Sequence, residues 1–198
     1  DNLYANLERR GGEPEAAFET AARIIEGEDR TGFQEHLYLE TQGLIAYPEA
    51  GRVTITGSLQ CPYYVKHAVE HVMGPKVAVR VVQATTGGGF GGKEDYPEII
   101  GAPMAVAAWK IGKPIRVIFD RGEDLAFTSK RHPSITKVRT AHDESGRIIA
   151  LDYDIILDGG AYESYSLIVL QRAMFHSNGV YHFPNVRVRE IGRASCRE

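Results

Sequence analysis

A chain of 198 residues, 43% hydrophobic and 25% charged, has the composition of one folded domain or of part of a larger one. Its net charge of −3 excludes the basic surface that would recruit nucleic acid or anionic lipid. No apolar run approaches the roughly 20 residues that cross a bilayer, and two cysteines, Cys61 and Cys196, are too few and too far apart for an iron–sulfur or zinc site.

The start, DNLYANLERRGGEPE, is polar and carries neither a secretion signal nor an initiator Met. The expectation is a chain that begins inside a longer protein, in a reducing, cytoplasmic setting, with any further redox centre on another domain. Between Pro14 and Gly27 an apolar side made of Ala17, Phe18, Ala21, Ala22, Ile24 and Ile25 predicts a short helix. From Gly32 to Gln42, Leu37 and Leu39 alternate with polar residues, as later does Leu44. That pattern predicts a half-buried strand with His36 and Glu40 on its solvent side. Pro48 to Gly51 is a turn, and Arg52 to Leu59 alternates like the returning strand of a hairpin. It ends at Gln60, just before Cys61-Pro62 and a helical pattern from Tyr63 to Met73. On these residues alone, Gln60 reads as a cap at the start of that helix.

Val77 to Val82 is β-branched and predicts a buried strand. It leads into Thr86-Gly87-Gly88-Gly89-Phe90-Gly91-Gly92-Lys93-Glu94, and a mostly apolar helix from about Pro97 to Lys110 follows. Gly101, Ala102, Ala105 and Ala108 suit close helix packing. Pro114 then opens a strand, Ile115 to Phe119. Asp120-Arg121-Gly122-Glu123-Asp124 lacks the alternate oxygen-ligand spacing of a calcium loop and reads as a capped turn. Thr136 to Thr140 and Ile148 to Leu157 alternate about Asp143-Glu144-Ser145-Gly146, giving a second hairpin. A helical stretch from about Ser166 carries Gln171-Arg172-Ala173-Met174-Phe175-His176. Hairpins mixed with packed helices predict a mixed α+β fold.

A strand feeding a glycine loop that opens a helix can build an anion site, because glycines admit close backbone approach and the amides point at negative charge. Gly87, Gly89 and Gly92 fit the dinucleotide pattern G-x-G-x-x-G, with Asp120 closing the next strand where a ribose-binding acid could sit. Gly87, Gly92 and Lys93 nearly fit a phosphate-binding P-loop, but Glu94 stands where Ser or Thr must hold magnesium, and its carboxylate would repel phosphates.

The whole octet GGGFGGKE offers a third reading. It resembles the pterin-contacting loop of the molybdenum subunit of the xanthine dehydrogenase and aldehyde oxidase family. QEHLYLET, at Gln34 to Thr41, resembles a second segment of that family, upstream of the loop as it should be. The resemblance spans about Gly32 to Arg189. It implies a molybdenum–molybdopterin cofactor, in the cytosine dinucleotide form in many bacteria, that uses water to hydroxylate a heterocycle. Electrons would leave through iron–sulfur clusters and FAD on partner domains or subunits. Carried over by position, Gln60 would reach an oxygen ligand of the molybdenum. The backbone of Gly88, Gly89, Phe90 and Gly91 would meet the cofactor, with Phe90 near the substrate ring. Glu94 and Arg172 match the polar substrate contacts of the purine-oxidising branch. A carboxyl and a guanidinium can orient a purine and stabilise charge on its ring, whereas an aldehyde offers them little to hold.

The last residues, Ile191 to Glu198, read IGRASCRE, and the codons ATC GGA AGA GCG TCG TGT AGG GAA for that peptide match a common sequencing adapter. The expected organisation is therefore a partial molybdopterin-binding domain over residues 1–190 and adapter read-through over residues 191–198. The family's second arginine–phenylalanine motif and its late general-base glutamate do not occur in these residues. The fragment by itself is expected to be inactive, and it needs the remainder of its own subunit.

Overall fold

The computed structural model describes residues 2–195, which form two units. The first comprises the chain up to Gln34 and from His132 onward; the second runs from Glu35 to Arg131.

The first unit opens with β1 (Leu3–Gly11), a strand not anticipated from the sequence, then α1 (Pro14–Glu19) and β2 (Arg23–Thr31). The helix expected to reach Gly27 stops at Glu19. Thr20 turns its hydroxyl back onto the Ala16 carbonyl at 3.0 Å, and the β-branched pair Ile24-Ile25 then favours extended backbone. After the second unit, β7 (Ser134–His142), β8 (Ile148–Asp158), α5 (Ser166–His176) and β9 (Asn185–Arg193) complete the first. Its five-stranded sheet has the order β1-β9-β8-β7-β2. The expected hairpin is present as the antiparallel pair β7–β8, turned by an Asp143 carboxylate that accepts from the Ser145 and Arg147 amides. β8 and β9 run parallel, joined through α5, and β1 pairs antiparallel with β9. Leu151, Ile155 and Leu157 from β8 and Val186 and Val188 from β9 pack with Leu170 and Met174 of α5. The opposite face of β8 gives Ala150 to a smaller cluster with Ala17 and Ala141.

The second unit contains β3 (Gly43–Glu49), β4 (Arg52–Ser58), α2 (Pro62–Met73), β5 (Ala78–Gln83), α3 (Tyr96–Ile111), β6 (Ile115–Ile118) and α4 (Arg121–Phe127). Its four-stranded sheet has the order β5-β4-β3-β6. β3 and β4 form the expected hairpin, and β4–α2–β5 is a parallel crossover. The core joins Leu44, Val53, Ile55 and Leu59 of the sheet side to Val65 and Val69 of α2 and to Ile100, Met104, Ala105 and Ala108 of α3. The small residues of α3 do serve close packing: a side chain added at Gly101 would stand 3.1 Å from Val65. β5 is an edge strand, half-buried rather than fully buried as expected.

Two expectations fail here. Residues 32–42 are not a strand beyond an isolated bridge at Gln34. Their alternation is also inverted, with Leu39 92% exposed and Leu37 exposed at φ 49°, while Tyr38 between them is fully buried. The dinucleotide reading of the glycine loop fails as well. The strand before the loop, β5, and the strand after its helix, β6, lie at opposite edges of the sheet, and β6 is antiparallel to β3. Asp120, the candidate ribose acid, is the N-cap of α4 in a capping box with Glu123.

Candidate cofactor-binding loop

The glycine loop lies between β5 and α3, folded back over the end of β4 where Gln60 sits. Gln60 is bound to the loop from both sides. Its backbone amide donates to the Lys93 carbonyl at 2.7 Å, and its side-chain Oε1 accepts from the amides of Gly91 at 3.1 Å and Lys93 at 3.2 Å. Two N–H donors can meet only an oxygen, so they dictate which way the carboxamide faces. The Nε2 donor thereby lies on the opposite side of the carboxamide from these amides and has no hydrogen-bond partner among the described residues. The helix-cap reading of Gln60 is replaced: α2 has Cys61 at its N-cap, with no side-chain cap.

Gly89 is required by this contact, because a Cβ there would lie 2.2 Å from Gln60 Oε1. Gly88 and Gly91 adopt φ of +94° and +98°, which L side chains resist. Phe90, between them, takes φ 52° and is 65% exposed, so it is no part of the core. Several amides of the loop are used internally. Gly87 donates to Glu40, Gly92 to the Gly89 carbonyl, and Glu94 to the Gly91 carbonyl. The amides of Gly88, Gly89 and Phe90 have no such partner among the described residues. The loop thus presents three consecutive N–H groups, an aromatic ring and a carboxamide donor. This is a donor-rich set for an anionic, oxygen-bearing ligand.

Beneath the loop lies a polar network that the sequence reading did not assemble. Lys93 is fully buried. Its ammonium donates to the Glu40 carbonyl at 2.6 Å, Ser58 Oγ at 2.8 Å and Glu40 Oε2 at 3.1 Å, and stands 4.6 Å from the centre of the Tyr38 ring. Burial pushes the Lys93 pKa down, against the pull of Glu40. Burial also pushes up the carboxyl of Glu40, but the hydrogen bonds from Ser58, Gly87 and Lys93 outweigh it and hold it below its ordinary range. Tyr38 OH donates to the buried Asp124 at 2.7 Å, and Gln42 Nε2 donates both to Tyr38 OH at 2.9 Å and to the Gly92 carbonyl at 2.7 Å. Burial, reinforced by Asp124, raises the Tyr38 pKa strongly, so the phenol stays neutral. The available signal was a lysine beside a glycine run with an acid in the preceding segment, but only the fold brings Lys93 and Glu40 together.

The structure brings Gln60, Gly88, Gly89, Phe90, Gly91 and Glu94 into one stretch of the second unit. Glu94 is half-buried at the start of the helix, and its carboxylate has no protein partner among the described residues. Arg172 belongs to the first unit, exposed on α5, where its guanidinium likewise has none. His36 is half-buried against the loop and burial lowers its pKa. A Cβ at Gly92 would stand 2.9 Å from its ring.

Comparison with known proteins adds the following. The model of a molybdopterin cofactor-binding domain matches residues 1–194. The chain is 39% identical over 185 residues to a xanthine dehydrogenase of Emericella nidulans, covering 91% of this chain and 13% of that protein. It is 37% identical over 181 residues to aldehyde oxidase 3 of Rattus norvegicus, covering 90% and 14%. Among solved structures, quinoline 2-oxidoreductase from Pseudomonas putida 86 matches 98% of this chain and 26% of its own, at a TM-score of 0.86 and 26% identity. Aldehyde oxidoreductase from Desulfovibrio gigas matches 98% of this chain and 21% of its own, at a TM-score of 0.81 and 25% identity. The chain therefore spans about an eighth to a quarter of the length of these relatives.

Proposed function

Because this chain belongs to the molybdopterin cofactor-binding domain family, we propose that it is part of the molybdenum subunit of a hydroxylase oxidising a purine or similar N-heterocycle with water as the oxygen source. The observation that carries the cofactor reading is the loop itself. The amides of Gly88, Gly89 and Phe90 and the Gln60 Nε2, none with a partner among the described residues, are hydrogen-bond donors whose chemistry suits an anionic, oxygen-bearing cofactor. The bound molybdenum–molybdopterin supplies the two-electron oxidation chemistry, and the protein supplies binding and orientation. Gln60 donates from Nε2 toward the cofactor, and the backbone from Gly88 to Gly91 holds it. Phe90 lines the substrate side.

By position in the family pattern, Glu94 and Arg172 are each assigned a polar contact to the substrate. A carboxyl and a guanidinium suit a heterocycle with ring nitrogens and exocyclic oxygens better than an aldehyde, and neither side chain has a partner among the described residues. In many bacteria the cofactor of this family takes the cytosine dinucleotide form, and that form is the one to look for in a bacterial host. Electrons pass to iron–sulfur clusters and FAD on partner domains or subunits, in the cytoplasm. No helix among the described residues is long and apolar enough to cross a membrane.

The test is Glu94→Val in the full-length enzyme, assayed on a purine and on an aldehyde. Loss of a charge-assisted contact made to the ring is expected to lower purine turnover by ~100-fold and aldehyde turnover far less. Equal loss on both substrates removes the purine assignment.

A further inference from the structure

One carboxylate oxygen joins the two ends of the glycine loop. Glu40 Oε2 accepts from the Gly87 amide at 2.7 Å, where the loop begins, and from the Lys93 ammonium at 3.1 Å, where it ends. Ser58 Oγ donates to the same oxygen at 2.5 Å and accepts from Lys93 at 2.8 Å. The backbone repeats the closure, with the Glu40 amide on the Gly87 carbonyl and the Glu40 carbonyl on the Lys93 ammonium. Lys93 in turn fixes Gln60, since its amide and carbonyl bond the carboxamide oxygen and the backbone amide of that residue. A second arm, Gln42 on the Gly92 carbonyl, is anchored through Tyr38 and Asp124.

We propose that Glu40 and Lys93 are positioning residues. Their ion pair closes the loop from Gly87 to Lys93 like a clasp and thereby sets the direction in which Gln60 Nε2 and the free loop amides face the cofactor. The assignment rests on the cofactor reading above, but the clasp itself is a property of the protein alone.

The geometry explains why charge is used here. A fully buried ammonium is unfavourable unless its three donors are met, and they are met by one carbonyl, one hydroxyl and one carboxylate. That tripod admits a single position for the lysine stem. An arginine fork would not match three acceptors arranged around a point. The Glu40 side chain is 44% exposed, so solvent screens the Coulombic attraction, and the hydrogen-bond geometry carries the constraint.

The experiment compares the full-length enzyme with Glu40→Gln, Lys93→Met and the double variant. Hydrogen exchange, read on cofactor-free protein, reports the clasp. Glu40→Gln is expected to speed exchange of the Gly87, Gly91 and Lys93 amides by ~10-fold or more while α2 and α3 keep their protection. Unchanged loop exchange overturns the clasp. Molybdenum content and the Mo(V) electron paramagnetic resonance signal of the loaded enzyme report positioning. Both single variants are expected to shift that signal and lower kcat more than KM. A loosened loop with an unaltered signal reduces Glu40 and Lys93 to structural residues and overturns the proposal. Glu40→Gln leaves the buried ammonium without its counter-charge, so the double variant is expected to recover thermal stability without recovering the wild-type signal. Recovery of both would also overturn it. Wild-type enzyme that carries no molybdenum instead overturns the cofactor reading, and the exchange data then still decide whether the clasp exists.

Discussion

Glu190 lies on the core face of β9, in alternation with Val186 and Val188, fully buried and with neither carboxylate oxygen hydrogen-bonded among the described residues. Burial pushes its pKa up to about 7. The folded chain therefore holds this proton to higher pH than the unfolded chain, whose carboxyl titrates near ~4.3. The sign follows: stability is greatest below that lower value and falls as pH rises through about 7, by an amount on the order of 3 kcal/mol. Urea unfolding at pH 5 and pH 8 should show this decline in the wild type. Glu190→Leu should raise stability at pH 8 and remove most of the difference between the two pH values. Nothing in the sequence announced the burial, because a glutamate between an arginine and an isoleucine ordinarily faces solvent. The same limit applied to Glu40, Lys93 and Asp124. Their residue types were plain, but their partners lie 53, 35 and 86 residues away, at distances that only the fold closes.

At the level of elements, patterns with local partners were the legible ones. The hairpins β3–β4 and β7–β8 and the helices α2 and α3 follow from period-2 and period-3.6 spacing, and the turn at Asp120 is a capping box as its composition suggested. β1 and β2 were missed because their pairing partners, β9 and β7, stand more than a hundred residues along the chain. Residues 32–42 misled for another reason. Alternation predicts the leucines inward, yet Tyr38 takes the buried position because its hydroxyl finds Asp124 and Gln42 there. The helix α4 carries that Asp124, so its cap matters beyond its own seven residues. Asp120 Oδ1 accepts from the Glu123 amide at 2.8 Å, and Glu123 Oε2 accepts from the Asp120 amide at 2.9 Å. Asp120→Ala should cost about 1 kcal/mol of stability, visible as a lower Tm. Asp120→Asn, which still caps, should cost less.

For the whole molecule, the family and its loop were legible because GGGFGGKE and QEHLYLET are contiguous. That the site is only partial was legible too, because the family's second arginine–phenylalanine motif and late glutamate do not occur in these residues, and the chain spans 13% of a xanthine dehydrogenase relative. We propose that residues 191–198 are adapter-derived, on the codon match of their sequence. Resequencing the source DNA past the codon for Glu190 with a different library chemistry should carry the frame into an arginine–phenylalanine glycine motif and a late glutamate. A gene that ends at Glu198 would remove the catalytic reading for this polypeptide. The division into units bears on how such a chain is made. The second unit, Glu35 to Arg131, is one uninterrupted stretch, whereas β1 finds its partner only in β9. On the ribosome, the piece that bears the glycine loop can therefore fold as soon as it emerges, while β1 waits, unpaired, until β9 has been made.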